Sequence, residues 1–251
     1  MITARMFLAF CLAGLGPPAP TAAAEVPGAL LDLTHWKLTL PVGRAGSDVA
    51  SEVRQPELAT FADRHAFFVD PAGRGVVFRA PCGGVTTRGS KYPRSELREI
   101  YGHTRKESEA VWSTDDGISH VLNVSLAITH LPDRKKEVSC VQIHDAKDDL
   151  LMVRLEGRKL LVERGRERDV VLDANYAPGD FFDLKVAAES GRIKVWYNGE
   201  KKLDWEKPGT GCYFKAGCYT QSNLSRGDRA DAYGEVIIRR LDLTHMRSQR
   251  P

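Results

Sequence analysis

Arg94, Glu96 and Arg98 occupy alternate positions in the run Arg94-Ser95-Glu96-Leu97-Arg98. Side chains of an extended strand alternate between its two faces, so these three groups share one face and leave Ser95 and Leu97 on the other. Two guanidiniums offer planar paired donors to carboxylates, and a carboxylate between them fixes their orientation. An exposed strand with solvated charges would have the same spacing. Two later segments decide between these readings. In Val141-Gln142-Ile143-His144 an amide and an imidazole fall on one face, with Val141 and Ile143 on the other. In Tyr213-Phe214-Lys215-Ala216-Gly217-Cys218-Tyr219-Thr220-Gln221, the groups Tyr213, Lys215, Tyr219 and Gln221 align, with Gly217 as an expected open spot between them. Phe214, Ala216 and Cys218 face the expected core.

Each segment alone is an ordinary amphipathic strand. Together, on neighbouring strands, they form a cationic trough with hydrogen-bond donors, one imidazole and two phenols. The trough lacks the paired carboxylates of a glycoside hydrolase, because Glu96 between two arginines stays ionised. A serine nucleophile elbow is also missing. The arrangement suits an anionic polysaccharide and proton abstraction beside a carboxylate. In a uronic acid the C5 hydrogen is α to the carboxylate, and its removal places a second negative charge there. Donors that neutralise the carboxylate stabilise that state. A base takes the C5 proton and an acid protonates the departing C4 oxygen. This is β-elimination, and it calls for no metal and no cofactor.

The elements that must position these groups are almost all short strands. Alternation marks strands at Leu31 to Leu40 (stopped by Pro41), Gly75 to Ala80, Ser90 to Tyr101, Val121 to Ile128 and Val138 to His144. Further strands follow at Leu150 to Leu155, Lys159 to Glu163, Phe181 to Ala187, Arg192 to Tyr197, Tyr213 to Gln221 and Gly234 to Leu243. Asn198-Gly199 predicts a tight hairpin, since both central positions of a type I′ turn need positive φ. One helical turn is expected near Pro56-Glu57-Leu58. Many short strands separated by turns predict an all-β fold, a jelly-roll β-sandwich with a substrate groove on one sheet face.

The chain has 251 residues, 42% hydrophobic and 27% charged, enough to bury a core. A net charge of +3 without a dense basic run argues against nucleic acid as partner. Residues 1–24 read as a signal peptide: Arg5, an apolar run from Met6 to Leu15, and a small-residue site at Ala22-Ala23-Ala24. Residues 25–251 are then expected to form a single catalytic domain, secreted or periplasmic, monomeric and free of membrane. Cys82, Cys140, Cys212 and Cys218 remain after the leader, and an oxidising compartment permits disulfides. A pairing of Cys212 with Cys218 is disfavoured, because six strand residues span about 20 Å. Cys140 shares parity with Gln142, so it either touches the groove or belongs to a disulfide. Zinc is not expected, as no ligand pair has the right spacing.

The three blocks, in this order, resemble the signature segments of the alginate lyases of polysaccharide lyase family 7. The Leu31 to Pro41 stretch and Ser90-Lys91-Tyr92-Pro93 resemble that family too. The resemblance implies a jelly roll that cleaves 1,4-linked mannuronate and guluronate chains endolytically. It assigns Arg94 and Gln142, assisted by His144, to the substrate carboxylate, and Tyr219 to the leaving oxygen. His144 would be the base for guluronate, and Tyr219 both base and acid for mannuronate. Glu96, Arg98, Lys215 and Gln221 would bind neighbouring sugars or orient the catalytic groups. In that family an isoleucine at the middle of the Gln-x-His block, the place of Ile143 here, accompanies activity on guluronate-containing substrate, so the resemblance implies that preference. A lyase for another polyuronate, such as a glucuronan, would use the same groups, and a non-catalytic carbohydrate-binding jelly roll would share the fold.

Overall fold

The computed structural model describes residues 26–44, 46–101 and 108–247. The expected leader at residues 1–24 lies outside them. Sixteen strands run through the described residues, with one short helix at Pro27–Leu30 and two 3-10 turns. The strands are β1 (Trp36–Gly43), β2 (Ala50–Val53), β3 (Phe67–Val69), β4 (Val76–Pro81), β5 (Arg94–Tyr101) and β6 (Ser108–Glu109). They continue as β7 (Ile118–His130), β8 (Glu137–His144), β9 (Asp149–Glu156), β10 (Lys159–Arg164) and β11 (Glu167–Asp173). The last five are β12 (Phe182–Glu189), β13 (Arg192–Tyr197), β14 (Glu200–Glu206), β15 (Tyr213–Thr220) and β16 (Tyr233–Arg247).

The strands form two antiparallel sheets. The larger has the order β11-β10-β9-β8-β15-β5-β1-β2, with β6 beside β5. The smaller has the order β14-β13-β12-β7-β16-β4-β3. Their inner faces enclose one core. Leu97, Val141, Ile143, Phe214 and Ala216 from the larger sheet join the same buried cluster as Phe78, Leu122, Leu126, Val236 and Ile238 from the smaller. Alternation along β5, β8 and β15 therefore spends one face on the core and frees the other, as a jelly-roll sandwich requires.

Several boundaries differ from the expectation, each for a local reason. Strand β1 begins at Trp36, because residues 27–30 are helical and Leu33 accepts a turn hydrogen bond from Trp36 N. It also passes through Pro41, since the β1–β2 register shifts between Thr39 and Gly43 and asks no ladder donor of that residue. The Asn198-Gly199 turn has φ of 49° and 83°, as the hairpin requires.

A bulge in the larger sheet decides where two further residues point. Along the β15–β8 ladder, Ala216 pairs with Val141 and Tyr219 with Ser139, so Gly217 and Cys218 oppose Cys140 alone. The β8–β9 ladder also skips at Cys140. The offset turns Cys140 into the core, against the expectation that it might touch the groove. Gly217 is not an open spot on the groove either. At φ +140° a Cβ there would meet Ser95 O at 2.6 Å and Phe78 Cδ1 at 3.0 Å, so the position needs glycine to let β15 lie against β5. All four described cysteines are free thiols and buried.

Candidate active site

The strand order places β15 between β5 and β8, and register does the rest. Across β15 and β5, Lys215 pairs with Arg98, Gly217 with Glu96 and Tyr219 with Arg94. Across β15 and β8, Tyr213 pairs with His144 and Lys215 with Gln142. Directly opposed side chains lie about 5 Å apart, so three segments distant in sequence share one patch. Arg94, Gln142, His144 and Tyr219 all line one cleft of about 400 Å³, joined by Arg98, Lys215 and Tyr213. A hollow of about 500 Å³ beside Lys136 and Arg158 is larger. Its imidazole, His130, is stacked on Tyr233 and tied through Nδ1 to the Tyr233 carbonyl, so it offers no comparable set of acid and base.

Glu96 holds this patch together from below. It is 1% exposed and accepts from Arg94 Nη1 at 2.8 Å, from Lys215 Nζ at 2.7 Å and from Gln142 Nε2. Burial pushes its carboxyl up, but the Lys215 and Arg94 charges outweigh that and hold it below the usual range. Glu96 is thus placed to orient Arg94, Gln142 and Lys215 and is too deep to meet a sugar itself. Gln142 spends one N–H on Glu96 and keeps a second N–H. Lys215 is also sunk in the patch. Burial lowers its ammonium to about 8, against the opposing pull of Glu96.

Aromatic rings frame the two ends of the cleft. The Arg94 guanidinium lies 3.7 Å from the Tyr219 ring centroid, and the Arg98 guanidinium lies 3.9 Å from that of Tyr213. Tyr213 stacks in turn on His144 at 5.3 Å. Arg98 also pairs with Glu109 at 2.6 Å. Gln221 follows the parity of Tyr219 but is only 5% exposed and does not line the cleft.

The proton states suit elimination. His144 Nδ1 lies 2.5 Å from the Asp145 carbonyl, which can only accept, so Nδ1 carries the hydrogen. The Tyr213 hydroxyl at 3.0 Å shares that hydrogen, and Nε2 keeps its lone pair. Burial lowers the His144 pKa below the usual 6.5, with Lys215 and Arg94 adding repulsion, so the ring is neutral at pH 7 and able to act as a base. Burial raises the Tyr219 phenol, with Arg94 pulling the other way, so it holds its proton at neutral pH and can act as an acid.

These directions fix a pH profile. Activity that needs the unprotonated imidazole rises with pH through the lowered His144 pKa, so the acid limb of kcat/KM falls below pH 6.5. Above about 8 the Lys215 ammonium discharges, the patch loses a positive charge, and kcat/KM declines. Rates on polyguluronate across pH 5 to 10 at constant ionic strength check both limbs. An acid limb above pH 7 would contradict the His144 assignment.

The cleft also contains residues that strand alternation does not reveal. Thr39 on β1 opposes Glu96, and Glu52 on β2 carries the lining onward. Thr87, Gly89 and Ser90 come from the loop before β5, which begins at Arg94 and not at Ser90 as alternation suggested. Lys147 and Asp148 come from the turn after β8, and Asp149 opens β9. Burial, reinforced by Asp148, raises the Asp149 carboxyl to about 6. The turn after β8 is polar and close to His144, which was the available signal.

Comparison with known proteins agrees with this geometry. The family model described as "Alginate lyase" matches residues 31–245. A curated alginate lyase from Klebsiella pneumoniae is 25% identical, over 89% of this chain and 92% of its own. The solved alginate lyase AlgAT5 of polysaccharide lyase family 7 is 48% identical, with TM-score 0.84 over 88% of this chain and 99% of its own. The alginate lyase from Corynebacterium sp. is 40% identical, with TM-score 0.83 and the same coverage. With the family model spanning nearly all of the described residues, and two solved family structures superimposing on the sandwich that carries the cleft, the chain belongs to the alginate lyases of polysaccharide lyase family 7.

Proposed function

We propose that the protein is a secreted or periplasmic enzyme, active as a single domain over residues 25–251. It cleaves alginate endolytically by β-elimination, with a modest preference for guluronate-containing blocks. One observation carries the reading: carboxylate-neutralising donors, a neutral imidazole and a protonated phenol share one cleft. Arg94 and the free N–H of Gln142 bind the uronate carboxylate and stabilise the charge that develops when the C5 proton leaves. On guluronate, His144 Nε2 takes that proton from the face opposite the leaving group, the C4–O4 bond breaks, and the Tyr219 hydroxyl protonates O4. On mannuronate the C5 hydrogen and O4 lie on the same face, and Tyr219 serves both steps: the phenol first loses its proton to solvent, and its oxygen then takes the C5 hydrogen and passes that proton to O4. Arg98 and Lys215 extend the positive lining to neighbouring sugars.

The product carries a C4–C5 double bond conjugated with its carboxylate, so turnover appears as rising ultraviolet absorbance. Mixing the protein with alginate, and separately with a glucuronan, tests the reading. Binding without any rise would leave a carbohydrate-binding sandwich, and a rise with glucuronan alone would move the substrate. Blocks of defined composition extend the test. His144→Asn is expected to lower kcat on polyguluronate by roughly 100-fold and on polymannuronate much less, because only the first needs the imidazole as base. Equal losses on both would overturn that division of roles.

A further inference from the structure

We propose that Ser90 is a positioning residue for Tyr219, its one hydroxyl hydrogen turning from the Tyr92 carbonyl to the Tyr219 oxygen when the phenol gives up its proton. The inference rests on the reading of Tyr219 as the acid. Ser90 lines the cleft, and its Oγ lies 2.9 Å from the Tyr219 hydroxyl oxygen.

A serine hydroxyl has one hydrogen and two lone pairs. The hydrogen is committed to the Tyr92 carbonyl at 3.0 Å, and one lone pair accepts from Tyr92 N–H at 3.1 Å. A single lone pair is left for Tyr219, so at rest the phenol donates and Ser90 accepts. Once the phenol has protonated the sugar oxygen, a phenolate faces a group arranged as an acceptor. Rotation about the Ser90 Cβ–Oγ bond reverses this and points the hydrogen at the phenolate. No proton is transferred in that step. A neutral bond to a carbonyl is exchanged for a charge-assisted one, which is about twice as strong.

The loop is built to hold Ser90 at this distance. Ser90 N–H closes a turn onto the Thr87 carbonyl at 3.0 Å. Tyr92 packs on Tyr219 with ring centroids 6.3 Å apart, and its hydroxyl accepts from Arg226 Nε at 3.0 Å. The Pro93 carbonyl accepts from Thr220 N at 3.1 Å, which joins the loop to the strand that carries Tyr219. Arg94 covers the face of the same ring, so the phenolate has a cation on its π-face and one hydroxyl donor at its oxygen. The need is greatest on mannuronate, where Tyr219 must lose its own proton to solvent before its oxygen can take the C5 hydrogen, so the phenolate begins the cycle as well as ending it.

Ser90→Ala removes the donor, and Ser90→Thr keeps it. On polymannuronate, Ser90→Ala is expected to lower kcat roughly 10- to 100-fold, with a smaller loss on polyguluronate. Ser90→Thr is expected to restore most of it. An ultraviolet difference titration, with the Tyr219→Phe background subtracted, should show the Tyr219 phenolate forming at higher pH in Ser90→Ala than in the wild type. Wild-type kcat and titration in Ser90→Ala would overturn the inference. So would a Ser90→Thr variant as impaired as Ser90→Ala, because a hydroxyl would then be irrelevant. High turnover in Tyr219→Phe itself would instead remove the assignment beneath it, whatever Ser90 does.

Discussion

Tyr219→Phe is expected to reduce kcat on alginate by about 10³-fold while the protein stays folded and still binds the polymer. General acid and base steps contribute roughly 10²- to 10⁴-fold each, and in the proposed mechanism this phenol serves one step on guluronate and both on mannuronate. The ring is untouched, so the Arg94 guanidinium keeps its 3.7 Å stacking partner and β15 keeps its register. What is lost from the fold is one hydrogen bond to Ser90, about 1 kcal/mol. Initial rates from ultraviolet absorbance, paired with circular dichroism and a binding isotherm, separate the two effects. A variant with most of its activity would show that another group protonates the leaving oxygen, and the cleft offers no second phenol paired with Arg94.

The second large effect concerns stability. Replacing Glu96 by leucine removes the anion that Arg94 and Lys215 share, and both cations are more than nine-tenths buried. Breaking a buried ion pair from one side costs about 3–5 kcal/mol, because the remaining charge has neither water nor partner. For a domain of this size that is a fall in melting temperature of roughly 6–20 °C. The Lys215 ammonium, already lowered to about 8, should drop further, which relieves part of the penalty at high pH. The sign follows: Glu96→Leu is least stable relative to wild type near pH 6 and recovers as pH rises past the depressed lysine value. Urea unfolding at pH 6 and pH 9 reads both. A loss below 1 kcal/mol at pH 6 would show that water reaches the cations and that Glu96 is dispensable as a hub. Activity should fall as well, since Gln142 and Arg94 lose their common anchor.

The fold was readable where one strand face meets the core and the other meets water. In β5, β8 and β15 this contrast is strong: alternation put Arg94, Gln142, His144 and Tyr219 on the wetted face among other polar groups, and the family resemblance singled them out. It could not say that β15 lies between the other two, because strand order follows from long-range packing. Of the strands that alternation missed, β2, β3, β6, β11 and β14, the last two share a cause. Each is an edge of its sheet, and the runs Glu167-Arg168-Asp169 and Glu200-Lys201-Lys202 carry the charges that keep edges from pairing further. Such charge hides the strand pattern. The bulge at Cys140 was equally hidden, since one inserted residue reverses parity without any change in composition. Ser90 lies in a loop that the alternation extended into the following strand, Asp149 opens β9 at the end of a polar turn, and only tertiary contact brings them to the cleft.

The four cysteines of the described residues lead to a last consequence. Burial raises every one of these thiols, Cys82, Cys212 and Cys218 to about 12 and Cys140 further, so almost none is thiolate in the native molecule. The thiolate is the form that alkylating reagents and oxidants attack. While folded, the sandwich therefore shields its cysteines from alkylation and oxidation without cross-linking them. Any opening that wets the core exposes them, and the rate at which they are alkylated measures how often the two sheets come apart.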